Sequence, residues 1–153
     1  MPYTTNKNIE KPAYNSYVNS WNTPVNADWD IIDAALGSTT SLNATGGSAT
    51  LSTAQYQSLF LSITGAIAAP VTYTIPSGVG GQWIVYNGTT DSSGGPNAVT
   101  IASAGGGTSV ATTRGSRAII ISDGTNIRSL SYVVGDGSGI IPVANRSEEH
   151  TSE

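Results

Sequence analysis

The sequence predicts a mainly β fold: a small antiparallel β-sandwich preceded by a short N-terminal helix and an extended arm. From Leu59 to Tyr132, short apolar runs alternate with polar residues at the two-residue period of a strand. Gly, Pro and Asp-Gly pairs cut these runs apart, as hairpin and loop turns require. Charged residues make up only 10% of the 153-residue chain, so the segment can build β-layers but has little with which to run acid–base chemistry.

Taken in order, residues 1–22 are rich in Asn and Tyr and too polar to bury much, which reads as an extended arm. Thr23-Pro24 has the form of a helix start, a hydroxyl at the cap and proline at the first helical position. The helix is expected from Pro24 to Leu36, stopping at Gly37. Val25, Trp29, Ile32 and Leu36 are spaced four, three and four residues apart, which places them on one stripe, with Asp28, Asp30 and Asp33 elsewhere. The stripe fits either two short heptads of a helical-bundle seam or a helix lying on its own domain. Residues 37–48 read as a Gly/Ser/Thr linker. Ser52 to Tyr56 resembles a capped helical turn. Strands are then expected over 59–64, 71–75, 82–87, 98–102, 109–112, 117–122 and 126–132, with turns at Asn87-Gly88 and Asp123-Gly124. Alternation puts Val71, Tyr73, Ile75, Trp83, Val85, Val99, Ile101, Ile119 and Ile121 inward. Residues 133–145 read as a second linker.

The formal charge of −4 is unevenly placed. Residues 1–48 set Lys7 and Lys11 against Glu10, Asp28, Asp30 and Asp33, whereas residues 49–145 balance three arginines with three aspartates. Without a basic patch, the phosphate attraction behind nucleic-acid binding is missing. Neither apolar run, around Ala66 to Ala69 or Ala118 to Ile121, approaches the roughly 20 residues of a membrane-spanning helix. The N-terminus lacks the apolar core of a signal peptide, and the absence of cysteine removes disulfides and thiolate chemistry together.

No nucleophile–base pair is evident, no metal or cofactor is expected, and the chain does not read as an enzyme. Asp91, Asp123 and Asp136 all sit in turn-like contexts, and Asp123 is explained by the Asp-Gly turn it starts. Gly78 to Gly81 and Gly105 to Gly107 lack the following Lys-Ser/Thr or helix of a phosphate cradle. Tyr56, Tyr86 and Tyr132 are the exposed aromatic candidates for stacking on a glycan. Trp21, Val25, Trp29, Ile32 and Leu36 are the candidate attachment and assembly residues. A β-domain of this size is marginal as a monomer, so self-association is expected from its size and from the helix seam.

The run from Ala69-Pro70-Val71-Thr72-Tyr73-Thr74-Ile75-Pro76-Ser77-Gly78-Val79-Gly80-Gly81 through Gln82-Trp83-Ile84-Val85-Tyr86-Asn87 resembles a module that recurs in tail-fibre and related structural proteins of bacteriophages. The resemblance continues over Ala98 to Val110 and Arg114 to Ile127. Trp21 to Gly37 also looks like the opening of such proteins, where similar Trp/Asn/Asp-rich helices precede the fibre. The resemblance implies a virion protein, made in the bacterial host cytoplasm and homotrimeric. Residues 1–36 would attach to tail or baseplate proteins, and a β-module over 49–132 would form a shaft or spacer for host adhesion, with a host-surface glycan as a possible further partner. The alternative is a carbohydrate-binding module or adhesin repeat. A capsule depolymerase would need its catalytic domain after residue 145.

The last eight residues, Arg146 to Glu153, contain the only histidine and resemble the translation of a sequencing-adapter read. On that reading the natural chain runs on beyond Asn145.

Overall fold

The structure is a computed structural model that describes residues 3–92 and 97–130. Helix α1 spans Asn22–Gly37 and is followed by strands β1 (Thr39–Asn43) and β2 (Ala49–Thr50), a helical turn α2 (Thr53–Gln57), and strands β3 (Phe60–Ile67), β4 (Val71–Ile75), β5 (Gly80–Asp91), β6 (Val99–Ser103), β7 (Val110–Thr112), β8 (Arg117–Asp123) and β9 (Ile127–Ser129). The mainly β class and the preceding helix are as expected. The expected turn at Ser52 is α2, where the Gln55 side chain accepts a hydrogen bond from the Ser52 backbone N–H at 2.8 Å.

Two sheets enclose one core. Sheet 1 has the order β1-β3-β5-β8-β9 and sheet 2 the order β2-β4-β6-β7. From β1 to β6, successive strands alternate between the sheets, so each strand pairs with the strand two places on. Those pairs run parallel: Thr39 lies beside Phe60 and Phe60 beside Ile84 in sheet 1, while Tyr73 lies beside Ala49 and Ile101 in sheet 2. The chain therefore winds as a short, flattened β-solenoid. Among the strands of the two sheets, antiparallel pairing, expected throughout, is confined to β5–β8, β6–β7 and β8–β9. Short strands with tight turns suit either topology, and only the long-range pairing separates them.

The linker expected over 37–48 is a correction of the same kind. Its Thr/Ser/Asn composition is permissive for β structure, and Leu42 and Ala44 are buried in the core. Thr39 to Asn43 pair with Phe60 to Thr64 along the whole of β1. Ser38 and Thr40 hydroxyls both bond the buried Ser58 hydroxyl, at 2.9 and 2.7 Å. Gly65, at φ +109, lets β3 pass the Asn43 turn, since a Cβ there would stand 2.6 Å from Asn43 Oδ1.

Leu42, Leu61, Ile63, Trp83, Val85 and Ile120 of sheet 1 meet Val71, Tyr73, Ile75, Val99 and Ile101 of sheet 2 in one cluster. Ile120, not Ile119 or Ile121, is the inward residue of β8, because pairing sets it beside the fully buried Trp83. Three consecutive isoleucines leave the parity open, and register decides it. Asn87-Gly88 is not a turn either. It lies within β5, with Asn87 wholly buried: its Nδ2 donates to the Thr112 carbonyl and its Oδ1 accepts from Thr89 N–H and Oγ1.

Candidate assembly surfaces

Helix α1 begins two residues earlier than expected, at Asn22, and its N-cap is Trp21, which makes no side-chain capping bond, so Thr23 is not the cap. Pro24 sits in the first turn, where its missing N–H costs nothing, and is the helix's one buried residue. At the other end Ser38 N–H and Oγ both bond the Ala34 carbonyl, at 3.1 and 3.0 Å, and Leu59 N–H donates to the same oxygen at 3.2 Å. The helix is thus tied directly to the head of β3.

Its apolar stripe is covered only in part. Trp29 is 63% exposed and Leu36 73%, with Trp21 at 68%, while Val25 and Ile32 are half-buried. Of the two fits for the stripe, a helix laid on its own domain is excluded for Trp29 and Leu36. Asp28 is engaged by the Glu10 backbone N–H at 2.8 Å, whereas Asp30 and Asp33 are exposed.

The expected extended arm is instead partly docked. Tyr3 and Glu10 form an antiparallel bridge, and Asn6 Oδ1 accepts from Gly80 N–H at 2.8 Å. Lys7 Nζ donates to the Tyr56 and Gln57 carbonyls and lies 5.3 Å from the centre of the Trp83 ring. Gln57 Nε2 returns a bond to the Lys7 carbonyl at 2.7 Å. Burial of the ammonium lowers the Lys7 pKa.

Of the three tyrosines expected to be exposed, two lie among the described residues. Tyr56 is buried, contrary to expectation, and its carbonyl accepts from Trp83 Nε1 at 2.8 Å. Tyr86 is half-buried, with the Arg117 guanidinium 4.7 Å from its ring centre. Tyr132 lies outside the described residues, as do the stretch 133–145, the last eight residues and Asp136. Asp123 accepts from Asn126 N–H at 2.7 Å, Thr125 N–H at 2.9 Å and Arg128 Nη1 at 2.9 Å. These bonds, led by the Asn126 and Thr125 amides, hold its carboxyl well below the usual carboxylate range. Asp91 is paired with Arg114. Among the described residues there is no group of three or more His, Cys, Asp or Glu side chains that could hold a metal, and no helix is long and apolar enough to cross a membrane.

Register also creates a surface that the alternation of the sequence does not show. On the outer face of sheet 1, Phe60, Ile84 and Ile119 stand side by side across β3, β5 and β8, and Leu130, just past the end of β9, continues the row, its N–H donating to the Ile119 carbonyl. Ile119 is 44% exposed and Leu130 63%. Ile121, Gln82 and Arg128 flank this row on one side, and Ser62, Tyr86 and Arg117 on the other. The available signal was the run Gln82-Trp83-Ile84-Val85-Tyr86, which is apolar at both parities and so leaves apolar side chains on both faces.

Comparison of the chain with protein-family models, curated proteins and solved structures finds no match.

Proposed function

We propose that this chain is a bacteriophage virion structural protein, part of a tail fibre or similar appendage, which attaches through its N-terminal helix and serves as a rigid spacer for host adhesion. The observation that carries this reading is a helix with Trp29 and Leu36 exposed, joined without an intervening linker to a stack of parallel strands. A helix that spends Trp29 and Leu36 on solvent is built for a partner. A stack in which each winding pairs with the next transmits position along its axis, which is what a shaft requires. The likeness of Trp21 to Gly37 and Ala69 to Ile127 to phage fibre sequences supplies the biological setting. The partners are further copies of the chain as a homotrimer, tail or baseplate proteins at the arm and helix of residues 1–36, and a host glycan beyond the spacer. The protein would be assembled in the bacterial cytoplasm and reside in the virion.

Light scattering behind a sizing column tests the assembly. A trimer is expected, and a clean monomer at micromolar concentration would sink the fibre reading. Binding of the isolated chain to a glycan array would favour the carbohydrate-binding module instead.

A further inference from the structure

We infer that α1 of one copy docks across the outer face of sheet 1 of a second copy, joining copies head to tail. Both surfaces present apolar side chains to solvent: Trp29 and Leu36 on the helix, and Ile119 and Leu130, continued by half-buried Phe60 and Ile84, on the sheet. Their dimensions match. Trp29 and Leu36 are two turns apart, about 10 Å along a helix, and the sheet row crosses three strand spacings, about 14 Å. A helix lying along the row sets both side chains on it.

The charges match as well. The exposed flank of the helix stripe carries Asp30 and Asp33, and α1 has no basic residue. The sheet row is flanked by Arg117 and Arg128. Arg128 pairs with Asp123, and Arg117 forms no ion pair among the described residues, only its contact with Tyr86. Two sheet faces brought together would set arginine against arginine, and two α1 helices aspartate against aspartate. The helix-on-sheet pairing is the one that opposes unlike charges. Within one copy, α1 is held at the head of β3 through the Ala34 carbonyl, and among the described residues none covers Trp29 or Leu36, which leaves both open to a second copy. Such a contact is heterologous and closes into a ring or propagates.

The chain has no cysteine, which makes single-site cross-linking clean. Asn26→Cys beside the helix stripe and Gln82→Cys beside the sheet row are both at exposed positions. Each full-length variant alone, and their equimolar mixture, would be treated with a short bis-maleimide. Cross-linking in the mixture but in neither variant alone is the expected result. Efficient self-cross-linking of Asn26→Cys would show a helix bundle, and that of Gln82→Cys a sheet-to-sheet contact. Either overturns the head-to-tail contact while leaving assembly intact, whereas a monomeric mass with no cross-link overturns both. As a second readout, Asp33→Arg and Arg117→Asp should each weaken association several-fold, and the two combined in one chain should restore it. Failure of the combined variant to recover overturns the charge pairing.

Discussion

Asn87 shows how much a single side chain can hold in place in a chain this poor in charge. Its amide satisfies the Thr112 carbonyl, the Thr89 N–H and the Thr89 hydroxyl, and so ties β5 of sheet 1 to β7 of sheet 2 in a site without water access. Asn87→Ala should therefore lower stability by about 1–3 kcal/mol, the cost of leaving buried polar groups unpaired, measurable by urea denaturation. A loss below the error of the fit would show that the groups re-pair. The same burial should keep the Asn87-Gly88 peptide from deamidating in the folded state, which mass spectrometry can follow against the urea-unfolded chain. Asp123 works at the surface and through pH. Its folded pKa is depressed below the unfolded value of about 3.9, so its contribution is fully present above that pH and is lost as pH falls towards the folded pKa. Asp123→Asn should flatten the acid limb of the melting-temperature profile below about pH 4 relative to the parent chain. An unchanged limb would mean that the turn persists in the unfolded chain.

At the scale of elements, the two tryptophans Trp83 and Trp29 separate core from surface. Trp83 is wholly buried between the sheets, and Trp83→Ala should cost about 3–5 kcal/mol. Trp29 would be the equal of Trp83 if its stripe lay on the domain, but at 63% exposure Trp29→Ala should shift monomer stability by no more than about 0.5 kcal/mol. Its effect should appear instead in association, read by light scattering. Strand β1 gives a parallel contrast. Because Leu42 is buried and β1 pairs with β3 throughout, hydrogen exchange over residues 39–43 should track β3 and not the exposed turns of residues 11–20. Fast exchange there would restore the linker assignment.

At the scale of the whole molecule, assembly should couple to stability: a partner that binds only the folded form raises the melting temperature as protein concentration rises. A concentration-independent melt between micromolar and millimolar chain would argue against it. What the sequence determined by itself is the local structure: β7 to β9, the long strands before them and α1 follow from period-two runs, turn residues and a Pro-to-Gly helix frame that act within a few residues. The 4-3-4 spacing of Val25, Trp29, Ile32 and Leu36 was legible for the same reason, since it is a property of one helix, whereas the exposure of Trp29 and Leu36 beside half-buried Val25 and Ile32 was not. Whether a strand pairs with its neighbour or with the strand one winding away is a contest between contacts far apart in the chain, and the shared core of both sheets decides it in favour of the parallel solenoid. That long-range register turned Thr39 to Asn43 from linker to strand, placed Asn87-Gly88 inside β5, sent Ile120 inward, and left Ile119 on an outer apolar row. Side-chain parity is invisible in a run of identical residues, because only the strand beside it says which face is the core.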